Sequence, residues 1–212
     1  MVFIRWGVFF LLWAGMMVFH LAAYFGSQYL EGEPHTEGGA LDERIPFRPG
    51  WIYVYSSWFA LLFGVPLLLN IAAPELCLKY MLAHCIDQLL SNVIYLIYPT
   101  TFERPVPPKD GLTGFVIGTV YSANHRFLNC APSVHCSVSF LFAFAALAAS
   151  MLPLWLRLVI VVWSLTIVAS TLFVKQHKII DAVTALPTAA VCWLLAGLAD
   201  FSSLAAKLSS AK

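Results

Sequence analysis

The sequence predicts an all-α polytopic membrane bundle of six transmembrane helices, with its active site at one membrane face. Three observations lead there. Of 212 residues, 60% are hydrophobic and 11% charged, whereas a soluble domain carries about 25% charged residues. The apolar residues gather in runs of roughly 20, the length that crosses the hydrocarbon layer as a helix. Two long polar connections and several very short ones separate these runs, so polar surface collects at one end of an up-down bundle. A net charge of +1 gives none of the basic excess that a nucleic-acid partner calls for.

The first span runs from Val2 to Phe25. No A-x-A site follows it, so an uncleaved span is expected rather than a signal peptide. The second runs from Ile52 to Ile71 and the third from Leu76 to Tyr98. The fourth begins near Cys136 and ends near Leu152, the fifth covers Leu154 to Lys178, and the sixth covers Asp181 to Ala199. Pro74 and Pro153 fall in tight turns between spans, where a missing N–H costs least. The connection from Glu31 to Gly50 is rich in Gly and Pro and carries five acids. The connection from Pro99 to His135 is longer. With six spans both lie on the same side, and residues 1–212 form one domain around a motif core at 98–183.

Charge leaves the orientation open. With a cytoplasmic N-terminus, Arg5, Lys79, Arg157, Lys207 and Lys212 lie inside. Arg44, Arg48, Arg104, Lys109, Arg126, Lys175 and Lys178 then lie outside, against the positive-inside tendency. The cysteines, Cys77, Cys85, Cys130, Cys136 and Cys192, show no disulfide framework and no CxxC spacing. Cys130 and Cys136 are expected as two thiols, with pairing as the alternative.

Three segments at the elaborate face carry chemistry. Arg104-Pro105 follows the third span, and an arginine fork suits phosphate. Pro132-Ser133-Val134-His135 opens the fourth span. Pro and Ser suit a first turn and its cap, and free N–H groups there favour an anion. A histidine at that place can protonate a leaving oxygen. In Ser170-Thr-Leu-Phe-Val-Lys-Gln-His177-Lys-Ile-Ile-Asp181, a continuing helix stacks His177 and Asp181 on one face, four residues apart. A carboxylate on one ring nitrogen fixes the tautomer and leaves the other as nucleophile or base. Ser170 and Val174 extend that face, and Thr171, Lys175 and Lys178 form the next. A helix-end hydrogen bond is the plainer account of His177 and Asp181. A zinc site using His135, His177 and Asp181 is the other alternative, without the tight HxxxH or HExxH spacing of zinc sites.

The ordered trio resembles the type-2 phosphatidic acid phosphatase superfamily of membrane lipid phosphatases and phosphotransferases. Arg104-Pro105, Pro132-Ser133-His135 and Ser170…His177…Asp181 match its three signatures in order and internal spacing, and the six spans match as well. The family's first lysine falls at Ile97, its glycine at Val134 and its third-motif arginine at Thr171. These departures look like the branch of inositol-phosphorylceramide synthase-like proteins. The resemblance implies that His177 attacks phosphorus to form a phosphohistidine, that Asp181 orients it, and that His135 protonates the leaving group. It implies that Arg104, Ser133, the Val134 N–H and Lys175 (one turn beyond Thr171) hold the phosphate oxygens. It also implies no metal and no cofactor, and a site opening extracytoplasmically in a plasma or inner membrane. The expected partners are the membrane and a lipid phosphate or diphosphate substrate. Transfer to a lipid hydroxyl is the close alternative, and a non-catalytic lipid-phosphate carrier is the rival of another class.

The third span is unusually polar. His84, Asp87 or Gln88, Ser91 and Tyr95 share a face, expected to make interhelical hydrogen bonds rather than a headgroup pocket. Trp51, Tyr53, Tyr55 and Trp58 read as an interfacial aromatic belt. His125 and Arg126 are either headgroup contacts or solvated loop residues.

Overall fold

The computed structural model describes residues 3–30, 32–124 and 126–209. Val2, Glu31, His125 and Lys212 lie outside the described residues. In chain order the helices are α1 (Trp6–Ser27), α2 (Ala40–Arg44), α3 (Ile52–Ser56), α4 (Trp58–Ala72) and α5 (Pro74–Ile97). They continue with α6 (Gly111–Ala123), α7 (Val134–Ala148), α8 (Leu154–Phe173), α9 (Ile179–Ala196) and α10 (Ser202–Leu208). Two short strands, β1 (His35–Thr36) and β2 (Thr100–Thr101), pair in parallel and tie the two long connections together.

Among the described residues, five helical segments are long and apolar enough to cross a membrane: α1, Pro49–Ala72, α5, α8 and α9. By length and composition the chain is a multi-pass membrane protein. The segment expected as the fourth span is α7, a helix of 15 residues. At 1.5 Å per residue it covers roughly 22 Å, short of the ~30 Å hydrocarbon core. It packs against α4, α5, α8 and α9. Its Leu141, Phe142, Ala145 and Ala146 are buried. α1, α8 and α9 instead expose large apolar side chains such as Leu11, Val162 and Leu194. α8 and α9 wall α7, and α1 packs against α5.

Local chemistry accounts for the breaks and bends. Pro74 is the first residue of α5 and Pro153 caps α8, as expected for a residue without an N–H. Pro66 lies inside α4, where it cannot donate to Leu62, four residues back. The indole of Trp13 donates to that Leu62 carbonyl instead, at 3.2 Å, joining α1 to α4. The polar face of α5 is buried, and His84, Asp87 and Tyr95 bond to neighbouring elements as expected, whereas Gln88 bonds Asn92 within α5 and Ser91 Oγ has no partner. His84 Nε2 lies 3.1 Å from His20 Nδ1 on α1. Ser137 on α7 donates to Asp87 at 2.6 Å. Tyr95 donates to the Pro132 carbonyl at 2.5 Å.

The end remote from the long connections is pinned by Asn70. This buried amide accepts from the Ile4 N–H at 2.9 Å and donates to the Ile4 carbonyl at 3.1 Å. Truncation leaves two buried backbone groups unpaired. Asn70→Ala is therefore expected to lower stability by about 1–3 kcal/mol, read as an earlier thermal transition of the detergent-solubilised protein.

Candidate active site

The site is built where α8 stops and α9 starts. The sequence reading carries the helix through to Lys178, but α8 ends at Phe173. The Gln176 N–H bonds the Thr171 carbonyl at 3.0 Å and the Lys175 N–H bonds the Leu172 carbonyl at 3.3 Å. That pair of bonds is a Schellman ending, whose left-handed residue is usually glycine. Here it is Lys175, with φ of 53°, a conformation costing a non-glycine residue about 1–2 kcal/mol. The missing glycine is why the sequence hides the helix end.

Lys175 therefore does not continue a face beside Thr171. Its ammonium donates to the carbonyls of Asp42 (2.9 Å) and Ile45 (2.6 Å) at the end of α2. These charge-assisted bonds offset the backbone strain and hold the first long connection against the site. Asp42 works in the same joint: one carboxylate oxygen accepts from the Ile179 N–H at 2.8 Å and the other from the Gly39 N–H at 3.0 Å. Sequence reading had no signal for it beyond its being one of five acids in the first long connection.

His177 and Asp181 do meet, for a different reason than a shared helix face. Asp181 is the third residue of α9, and its Oδ2 caps the Lys178 N–H at 2.9 Å. The same oxygen lies 3.0 Å from His177 Nδ1, so a cap and a histidine partner are one carboxylate. Asp181 is fully buried and His177 nearly so. With Nδ1–H directed at a carboxylate, the lone pair sits on Nε2.

The second motif behaves as its residues dictate. Ser133 caps α7, its hydroxyl accepting from the Cys136 N–H at 3.2 Å, and its own N–H donates to the Asp181 carbonyl at 3.1 Å. The two helix starts are thus bonded to each other. Val134 and His135 fill the first turn, where N–H groups have no intrahelical acceptor. Cys136 is a free thiol 3.5 Å from the Thr171 hydroxyl, so its bracket with Cys130 is not a disulfide.

The imidazole of His135 lies between two aromatic rings. Tyr55 stacks on it with centroids 4.4 Å apart and Trp58 likewise at 4.4 Å. Both are buried, which corrects their reading as part of an interfacial belt. At positions i and i+3 they face inward, while Tyr53 is the exposed member and bonds Thr113 at 2.9 Å. Trp51 packs on Phe173, with centroids 4.7 Å apart.

His135, His177, Val134, Tyr55, Trp58 and Gln176 line one cavity of about 170 Å³. That is smaller than the roughly 300–1,000 Å³ that encloses a drug-sized ligand, so it holds only a small group. Its outer rim carries Leu21 and Phe25 of α1 and Phe59 of α4, all exposed on the apolar flank. Three of its buried nitrogens have no protein partner: His135 Nε2, Trp58 Nε1 and Gln176 Nε2. Buried polar groups are normally satisfied, so this wall has donors to offer a ligand.

Arg104 stands one layer behind. Its guanidinium donates to the Asn124 carbonyl at 2.7 Å and approaches Gln176 Oε1 at 3.5 Å. It stacks on Phe127 at 3.2 Å and Tyr121 at 4.5 Å. Burial draws it down to about 10, which leaves it cationic at pH 7. By engaging Oε1 it turns the Gln176 NH2 toward the cavity. Gln176 is a site residue that sequence reading missed, because glutamine beside histidine carries no motif of its own. Arg126 lies 5.2 Å from the Tyr29 ring centroid. Among the described residues no group of three or more His, Cys, Asp or Glu is arranged to hold a metal.

Lys175→Met removes two hydrogen bonds from a charged donor and is expected to lower stability by about 1–3 kcal/mol, measured by thermal unfolding. Unchanged stability with weakened phosphate binding would instead put the ammonium on the substrate. No family model, curated protein or solved structure matches the chain.

Proposed function

We propose that the protein is a metal-independent membrane phosphatase that cleaves a lipid phosphate or diphosphate through a phosphohistidine. One observation carries this most: His177, paired with Asp181, and His135 line the same small cavity, whose rim is apolar. The resemblance of the three motifs to type-2 phosphatidic acid phosphatases supports the same reading. A carrier needs donors for an anion but has no use for a tautomer-fixing carboxylate.

His177 Nε2 attacks the terminal phosphorus and its bridging P–O bond breaks, an ester bond in a monophosphate and the anhydride bond in a diphosphate. Asp181 stabilises the imidazolium-like ring. His135, protonated on Nε2, gives that proton to the departing lipid oxygen. The neutral His135 then takes a proton from water, whose oxygen attacks phosphorus and breaks the P–N bond. Phosphate leaves and both histidines return to their starting states. The donors of Gln176 and Trp58, with the Val134 N–H, stabilise charge on the non-bridging oxygens. Ser133, engaged as a helix cap, contributes its hydroxyl proton. Arg104 supplies field from behind Gln176.

In this reading α7 is the sixth, central crossing element, shortened because its start is sunk below the membrane face to meet the phosphate. The site opens to the extracytoplasmic side of a plasma or inner membrane. A second reading, transfer to a lipid hydroxyl in place of water, is favoured by the cation supply. Ile97 and Thr171 stand where the family has cations, and Lys175 is engaged elsewhere. A phosphate monoester carries about −1.5 to −2 charge at pH 7 and a diester only −1, so a cation-poor site suits the diester of a headgroup donor.

The test incubates purified protein with a panel of lipid phosphates, diphosphates and phosphodiesters in chelator, following free phosphate and new lipid. Phosphate release that falls to background in His177→Ala is expected, with His135→Ala reduced by about 10²–10⁴-fold. New lipid without free phosphate selects the transferase. Turnover that survives in His177→Ala, or that chelator abolishes, overturns the phosphohistidine mechanism.

A further inference from the structure

The first long connection brings a second carboxyl to the back of the His177–Asp181 pair. Strand β1 is paired so that the Glu37 N–H donates to the Thr101 carbonyl at 2.8 Å. Gly38, with φ of +135°, lies against the Lys178 side chain, where a Cβ would meet Lys178 Cε at 3.3 Å. Together these set the Glu37 carboxyl within hydrogen-bonding reach of the Asp181 carboxyl. Asp181 Oδ2 is taken by His177 and Lys178. Asp181 Oδ1 and Glu37 Oε2 are both buried, and neither finds a donor. Two ionised carboxylates cannot satisfy one another, because both only accept. One proton held between them satisfies both.

From this geometry we infer that Glu37 is a positioning residue for His177, acting through a proton shared with Asp181. The inference rests on His177 being the nucleophile proposed above. A protonated Glu37 donates to Asp181 and withdraws charge from it. The imidazole is then held through Nδ1 by a carboxylate that is itself hydrogen-bonded, with Nε2 directed away from the pair. The shared proton also keeps one negative charge, not two, behind a site that must admit phosphate.

The surroundings favour the protonated form. Burial, Asp181 and then Asp42 push Glu37 up to about 8. The Lys178 side chain lies against Gly38, with its Nζ 4.8 Å from the Phe102 ring centroid, while Lys175 is bound to the carbonyls of Asp42 and Ile45. The carboxyl is raised in the folded state, so its contribution to stability is complete below the unfolded value of about 4.5 and is lost as pH rises through about 8. Above that pH two adjacent carboxylates face His177. Together they repel the substrate phosphate.

Three measurements on the solubilised full chain test this. Hydrolysis should show an alkaline limb with a midpoint near the Glu37 value. Glu37→Gln keeps a donor and cannot ionise, so its profile, scaled to its own maximum, should lose that limb, while Glu37→Ala loses rate by about tenfold or more across the range. Thermal stability should fall between about pH 4.5 and 8 more steeply in wild type than in Glu37→Gln. The ¹⁵N resonances of the His177 ring, assigned by their loss in His177→Ala, should step near pH 8 in wild type. The stability and ring measurements need no turnover, so they stand even if no lipid phosphate proves to be a substrate. Parallel stability profiles, or a His177 ring with no step in that range, would overturn the role of Glu37.

Discussion

The carboxylate of Asp181 is the joint on which the elaborate end of the molecule depends. It closes the first turn of α9 through Lys178, holds His177 at 3.0 Å, and stands against Glu37 of the first long connection. The backbone carbonyl of the same residue receives Ser133, so α7 and α9 begin from one point. A single buried residue thus ties the second motif, the third motif and the loop that follows α1. Losing a fully buried acceptor with this many partners leaves several donors unsatisfied at once, each at a cost of about 1–3 kcal/mol.

The bundle below exists to make that joint rigid. α7 is surrounded by α4, α5, α8 and α9, so the histidine in its first turn cannot swing out. The aromatic pair Tyr55 and Trp58 fixes the His135 ring plane by stacking, a constraint that leaves Nε2 unengaged. The polar face of α5 serves the same end. Tyr95 braces the Pro132 carbonyl just ahead of the α7 cap, and Asp87 grips Ser137 one turn in. Polar groups inside an apolar bundle are expensive unless paired, and most of these pairings run to α1 or α7, the helices that wall the cavity.

Much of this was legible in the sequence because membrane chains obey few rules. Long apolar runs and prolines at span edges located the outer helices. The cap at Ser133 followed from residue type, and the His177–Asp181 contact was expected, though on a continuous helix that the structure breaks at Phe173. What misled was chemistry that looks ordinary in one dimension. Lys175 takes the backbone conformation of a glycine because two carbonyls of a distant loop receive its ammonium, and nothing local announces that. Tyr55 and Trp58 resemble belt aromatics until α7 is placed against them. Glu37 and Asp42 sit in an acidic, Gly- and Pro-rich connection that reads as solvated surface. Their partners are well over 100 residues away, beyond the reach of periodicity.

For the proposed reaction, the position of Arg104 offers a way for a site with few cations to favour an anion. Its guanidinium lies between Tyr121 and Phe127 and reaches the cavity wall only through Gln176. A charge set back by one side chain interacts weakly in water. In a partly buried setting the effective dielectric constant falls toward about 20, and the same separation carries several times the energy. The intervening amide adds to it, because Arg104 on Oε1 polarises the NH2 that faces the cavity. In the proposed reaction the cation would thereby act on a bound anion without occupying the cavity or pairing with Asp181, whose carboxylate remains committed to His177.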